Sequence, residues 1–243
     1  RIIMMNKIKK FKNHFIICGY GRMGAVIAKE LNEQSKQFII IEKDDSKVEN
    51  IRENGMFCIN GDATLDNTLT SANIENASGV AIALNNDQDN LFVTMTLRSL
   101  NPNAFLLSRC SNDQNKHKLI RSGANKVINP YITGGHRMAE MLLRPEIIDS
   151  VNVNTDEGND LDIHIDEISI KNIPQFIGTS IKETKIKDTY DLLIVCIKKH
   201  DTLDNIINPD SSYILDKDDT ILVIGDKGKL DNFSKSQILN NRT

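Results

Sequence analysis

The sequence predicts an α/β fold: a Rossmann-like, doubly wound parallel sheet, then a crossover helix region and a smaller α+β C-terminal domain. Three observations carry this. Six short apolar runs within residues 14–130 alternate with stretches of helical spacing, the pattern of parallel strands joined by crossover helices. The runs are continuously apolar, as strands buried on both faces require. A G-x-G-x-x-G stretch, Gly19 to Gly24, follows the first run and opens a helix, the context in which that spacing has meaning.

Taken in order, HFIIC (14–18) is the first run, rich in β-branched residues. AVIAKELNEQ (25–34) has apolar residues at helical spacing. FIIIEK (38–43) is the second run, and DSKVENIRENG (45–55) a helix closed by Gly55. MFCIN (56–60) is the third, followed by a loop and short helix over 61–74. GVAIAL (79–84) is the fourth, and DQDNLFVTMTLRSLNP (87–102) a helix stopped by Pro102, with Asn85 and Asp87 as candidate caps. AFLLSRC (104–110) precedes a helix over 112–123, and KVINP (126–130) completes the set. Right-handed crossovers then wind the sheet in both directions.

The rhythm changes after residue 130. One helical stretch containing TGGHRMAEMLL breaks near Pro145, and a polar linker, VNVNTDEGNDLD (151–162), runs into a strand. IHIDEISI, LLIVCIKK and TILVIGD are short runs between turn signals, which predicts antiparallel pairing. The segments IPQFIGTSIKETKI and GKLDNFSKS read as helix or loop. The predicted divisions are a basic linker (1–13), a Rossmann-like lobe (14–130), a crossover region (131–152) and a C-terminal domain (153–243).

Composition narrows the function classes. The net charge of −3 gives no global pointer to nucleic acid. No apolar run approaches the roughly 20 residues of a membrane helix, so the chain as given is expected to be soluble. Its start, RIIMMNKIKKFKNH, is basic and amphipathic, without a secretory cleavage site. Cys18, Cys58, Cys110 and Cys196 are far apart and read as buried thiols in a reducing compartment, not as disulfides or a zinc site. The five histidines share no spacing with one another and read as surface or packing residues. Asp156, Glu157, Asp160, Asp162, Asp166 and Glu167 read as a solvated face, not a metal site.

The glycines point to a nucleotide. Gly19 permits the tight turn, Gly21 lets a pyrophosphate approach the backbone, and Gly24 lets helix and strand pack closely. The helix N-terminus adds free N–H groups and partial positive charge. Glu42 ends the second strand 18 residues beyond Gly24, placed to accept ribose hydroxyls and to repel the 2′-phosphate of NADP. Asp62 follows the third strand at the same edge. The candidate contacts are Gly19, Tyr20, Gly21, Arg22, Met23 and Gly24 in the loop; Glu42, Lys43, Asp62 and Ala63 beyond the next two strands; and Leu84, Asn85 and Arg109 beyond the fourth and fifth. A sheet that has lost its ligand is the bland alternative. Redox chemistry would further need a substrate pocket and an acid/base group, and no catalytic constellation is present in the sequence.

The order KNHFIICGYGRMG, FIIIEKD, NGDAT, VAIALNNDQDN, LLSRC and GANKVINP resembles the RCK family, the regulators of potassium conductance, whose members in transporters are called Trk-type N domains. The stretch from IPQFIGTSIKE to DKGKLDNF (173–233) resembles the companion C-terminal domain. The resemblance implies a cytoplasmic sensing domain, not an enzyme, with NAD(H) or an adenine nucleotide (AMP, ADP or ATP) as regulatory ligand. It implies homodimers, paired through the helices after the fourth and fifth strands and through residues 131–150, that assemble into an octameric gating ring below a potassium pore. Calcium binding of the kind some members show is doubtful, because Ala83 and the trio Arg109, Cys110 and Ser111 stand where those members carry carboxylates. The opening is similar to the linker below a pore helix, its lysines suit the region under the cytoplasmic leaflet, and the start at Arg1 agrees with a chain cut from a longer protein. A channel subunit is therefore the first expectation. A soluble regulatory subunit of a potassium transporter is the second, and an NAD-dependent oxidoreductase the third.

Overall fold

The computed structural model describes residues 2–153, 162–200 and 204–237, which fall into two compact units, 1–137 and 138–243. In the first, a short helix α1 (Ile2–Ile8) precedes β1 (His14–Cys18), α2 (Arg22–Glu33), β2 (Phe38–Glu42), α3 (Asp45–Glu53) and β3 (Phe57–Asn60). Then come α4 (Asp66–Ser71), β4 (Ala77–Ile82), α5 (Asp87–Leu100), β5 (Phe105–Arg109), α6 (Lys116–Arg121), β6 (Lys126–Ile128) and α7 (Pro130–Leu143), which runs across the division. The sheet order is β3-β2-β1-β4-β5-β6, and every pair is parallel.

Alternation along the strands sorts the helices onto two faces. Ile16, Ile39, Ile41 and Ile59 face one side, with Ile8 of α1, Leu69 of α4 and Val93 and Leu97 of α5. Ile17, Ile40 and Cys58 face the other, against Ala28 of α2 and Val48 and Ile51 of α3. β2 is buried along its whole length, which is why it reads as an unbroken apolar run. Because β1 leads to β2 on one side and β4 lies on the other, the winding reverses between β1 and β4. The carboxyl ends of these two strands form the crevice where such sheets bind ligands.

The second unit is an antiparallel sheet built from β7 (Asp149–Asn152), β8 (Ile163–Ser169), β9 (Leu193–Lys198), β10 (Ile206–Ile207) and β11 (Thr220–Asp226), in the order β10-β9-β11-β8-β7. Two helices, α8 (Ile186–Tyr190) and α9 (Lys227–Gln237), accompany it. Ile168, Ile194, Ile197, Ile221, Val223 and Phe233 lie in its core.

Several expectations need correction. Residues 149–152 fall in the predicted crossover and linker region, yet form the edge strand β7; an edge strand pairs on one side only, so its sequence, DSVN, can stay polar. Asp166 is not part of a solvated face. It is fully buried in an ion pair with Arg144, which also reaches Asp231 at 3.2 Å, while Ser150 Oγ donates to Asp166 at 2.9 Å. Asp156, Glu157 and Asp160 lie outside the described residues. Cys18, Cys58 and Cys110 are buried free thiols, whereas Cys196 is only half-buried, because it faces away from the core of its sheet. Burial pushes the Cys18 thiol up to about 12 and Cys58 to about 11, so neither is a reactive thiolate. The cap of α5 falls on Asn86, whose side chain accepts from the Asp89 N–H at 2.8 Å. Asp87 instead accepts from the N–H groups of Ser111 and Asn112 and from the Asn115 side chain.

Candidate functional site

A cleft of about 140 Å³ opens at the carboxyl ends of β1, β2, β3 and β4. Its floor is the glycine loop. Gly19 has φ +95°, and a Cβ there would stand 2.9 Å from the Ala83 carbonyl oxygen. Gly24 is tighter still, since its Cβ would stand 2.0 Å from the Gly19 oxygen. Both glycines are demanded by the fold. Gly21 is different. It adopts ordinary extended geometry (φ −82°) ahead of α2, and its Cβ would meet nothing nearer than Asn85 Oδ1 at 3.8 Å. Packing does not require a glycine at 21, and the space its missing side chain leaves belongs to the cleft.

Glu42 closes one wall. Its side chain is almost wholly buried, and its carboxylate accepts three backbone bonds: Tyr20 N–H to Oε2 at 2.8 Å, and Lys43 and Asp44 N–H to Oε1 at 2.9 and 3.0 Å. The acid therefore ties the glycine loop to the start of α3. Asp62 lies beyond β3, where its Oδ1 accepts from the N–H and hydroxyl of Thr64. Those bonds, backbone first, hold its carboxyl below the usual range, with Lys43 adding charge in the same direction. Leu84 and Asn85 form the opposite wall. Behind them Asn90, fully buried, accepts from Leu84 N–H and donates to the carbonyls of Leu84 and Arg109, fixing the β4 turn against β5.

The structure brings Gly19, Tyr20, Gly21, Glu42, Lys43, Asp62, Ala63, Leu84 and Asn85 together around this cleft. Arg22, Met23, Gly24 and Arg109 do not line it. Arg22 and Met23 sit in the first turn of α2, and Gly24 packs beneath Gly19. Arg109 is turned towards Ser111, to whose hydroxyl it donates at 2.9 Å. Sequence reasoning missed Ile41, Lys47, Gly61, Ala83, Asn86 and Asp89, which also border the cleft. The signal for Lys47 was its place in the first turn of α3, one turn beyond Glu42. Asn86 and Asp89 belong to the polar stretch NNDQDN at the sheet edge. Asn90 ends the same stretch, but only the fold turns it inward. Among the described residues, no three His, Cys, Asp or Glu side chains are grouped to hold a metal ion.

A TrkA-N domain matches residues 15–130 and a TrkA-C domain residues 167–237. Potassium channel protein 1 of Methanocaldococcus jannaschii is 33% identical over 236 residues, covering 96% of this chain and 69% of that protein. The chain belongs to the RCK family of TrkA-N/TrkA-C potassium-transport domains. The Ktr system potassium uptake protein C of Bacillus subtilis is 22% identical over 92% of this chain and 97% of its own length. Among solved structures, the GsuK channel bound to NAD superposes with a TM-score of 0.64 at 20% identity, a likeness of fold covering 93% of this chain. This chain spans only 39% of that one. The two relatives just named are a potassium channel protein and a potassium uptake protein. Among the described residues, no helix is long and apolar enough to cross a membrane.

Proposed function

We propose that this RCK chain is the cytoplasmic ligand-sensing domain of a potassium channel and that its cleft binds NAD(H) or an adenine nucleotide (AMP, ADP or ATP). The observation that carries the reading is Gly21, a glycine the packing does not need, open to the cleft between two glycines the packing does need. The N–H groups at the start of α2 are then free to meet a pyrophosphate at a helix N-terminus. Lys43 and Lys47 border the same cleft and add positive charge. The bound state of the GsuK channel, whose fold this chain shares, supports the same ligand class. No group within the cleft is arranged as a nucleophile with its base, so the proposed role is to bind and not to turn over.

Sensing follows from linkage. A nucleotide shifts the domain only by its difference in affinity between two arrangements, and useful couplings are on the order of 1–3 kcal/mol. Self-assembly supplies the lever. Phe92 and Met95 on α5, Ile120 on α6 and Tyr131 and Ile132 on α7 are exposed apolar side chains, as are Met138, Met141, Leu142 and Leu143 later on α7. These surfaces suit pairing with a second copy, and dimers would build the octameric ring under the pore. A regulatory subunit of a Ktr-type transporter is the second reading, favoured by the full-length match to the Bacillus protein.

The test is a thermal-shift panel with NAD, NADH, NADP, AMP, ADP, ATP and calcium. A clear shift with an adenine nucleotide, lost on substituting Gly21, upholds the reading. No shift with any nucleotide defeats it.

A further inference from the structure

Residues 3–12, from α1 to the approach to β1, carry a second surface, remote in chemistry from the cleft. Four lysines, Lys7, Lys9, Lys10 and Lys12, fall within six residues, and no Asp or Glu occurs before Glu30. In a chain of net charge −3 this is a marked local asymmetry. The segment is not a loose tail. Ile8 is fully buried and Phe11 nearly so, both in the core of the first unit. Phe11 meets Phe57 edge-on with ring centroids 5.0 Å apart. The Asn73 side chain donates to the Phe11 carbonyl at 2.9 Å, and Asn13 N–H donates to the Asn76 carbonyl at 2.8 Å. Two buried anchors at 8 and 11 thus leave the four lysines between and around them exposed on a fixed support. None of the four is within ion-pair distance of a carboxylate among the described residues. Ile3, on the same short helix, is 74% exposed, and Met4 and Met5 are half-buried beside it.

We propose that residues 3–12 are a docking ridge for an anionic phospholipid surface. The chemistry favours a bilayer over a nucleic acid. The cations are all lysines, compact point charges that suit a diffuse field of headgroups. The aromatic ring of the segment, Phe11, is buried and unavailable for base stacking. An exposed isoleucine at the ridge is suited to the headgroup–acyl boundary. The ridge is held rigid, so binding does not first have to order a disordered tail. This inference does not rest on the nucleotide cleft, and either can fail without the other.

The experiment is co-sedimentation of the whole 243-residue chain with vesicles of phosphatidylcholine alone and of phosphatidylcholine containing one part in three of phosphatidylglycerol. The expected result is binding to the anionic vesicles only, falling steeply as salt is raised because the Debye length shrinks from about 30 Å at 0.01 M to about 8 Å at 0.15 M. Each Lys→Gln change weakens partitioning by about fivefold, so the quadruple variant K7Q/K9Q/K10Q/K12Q loses binding while keeping the parent's Tm, since all four side chains are exposed. Three results overturn the proposal: no binding to anionic vesicles, undiminished binding by the folded quadruple variant, or capture of a DNA or RNA duplex without capture of vesicles. Salt dependence of the parent chain decides the matter even if the quadruple variant folds poorly, because binding insensitive to salt is not made by these lysines.

Discussion

Gly21→Ala separates a glycine kept for a ligand from one kept for packing. The added Cβ meets only Asn85 Oδ1, at 3.8 Å, and φ at this residue is −82°. Alanine is a poorer helix cap than glycine, but it also restricts the unfolded chain, which stabilises by about 0.4–1 kcal/mol. The two effects oppose each other, and the free protein should change by less than about 1 kcal/mol. Binding should change far more. The Cβ occupies the approach of a pyrophosphate to the loop, and losing two charge-assisted hydrogen bonds at about 1.5–3 kcal/mol each removes about 3–6 kcal/mol, roughly 10² to 10⁴ in Kd. A nucleotide at 100 times its Kd adds about 2.7 kcal/mol to the parent. With about 2.1 cal/mol/K of unfolding entropy per residue, the unit of residues 1–137 should gain about 9 °C in Tm. A hundredfold loss of affinity cuts the gain to about 0.4 kcal/mol, or about 1–2 °C. Differential scanning fluorimetry with and without nucleotide reads both quantities. Gly24→Ala is the control: its Cβ would sit 2.0 Å from the Gly19 oxygen, and such overpacking against backbone lowers stability by about 3 kcal/mol or more. If Gly21→Ala keeps the full nucleotide shift, or proves as destabilising as Gly24→Ala, the reasoning is wrong.

Glu42→Gln should destabilise the free protein by about 1–3 kcal/mol, read as a lower Tm, because the amide group leaves at least one of the Tyr20, Lys43 and Asp44 N–H donors unpaired. An acid serving only a ribose would leave that Tm unmoved, as thermal unfolding without nucleotide will show. His14 is fully buried, its Nε2 bonded to the Ala72 carbonyl at 2.9 Å, and burial lowers its pKa despite that bond. The unfolded chain therefore takes up the proton first, so stability is complete well above about pH 6.5 and falls as pH drops through that value, by up to about 1.4 kcal/mol per unit. Urea titrations between pH 8 and 5 should show this slope, and His14→Gln should flatten it; an unchanged slope would assign it to another group. Asp166→Ala strips a buried partner from Arg144 and should cost about 3–5 kcal/mol, read as a lower urea midpoint for the second unit, with a loss below about 1 kcal/mol counting against the ion pair.

Much of the first unit was legible because its signals are local. Runs such as HFIIC and FIIIE must be strands buried on both faces, and the spacing of Gly19, Gly21 and Gly24 dictates a strand–turn–helix. The sequence by itself determined the parallel sheet, the edge at which a ligand would bind, and nine of the residues that border the cleft. It could not place side chains whose direction depends on distant partners. Arg109 ends the expected strand but turns to Ser111, Glu42 spends its oxygens on backbone N–H groups of two loops, and Asn90 reaches inward to a neighbouring strand's carbonyl. Lys47 and Asp89 enter the cleft because α3 and α5 start there. In the second unit, DSVN is too polar and too short to announce a strand, and Asp166 looks solvated until Arg144 and Ser150 close around it. The physical reason is common to all of these. Period and turn chemistry are written in neighbouring residues, whereas hydrogen-bond partners and burial are set by contacts between residues far apart in the chain, which exist only once the tertiary structure has formed.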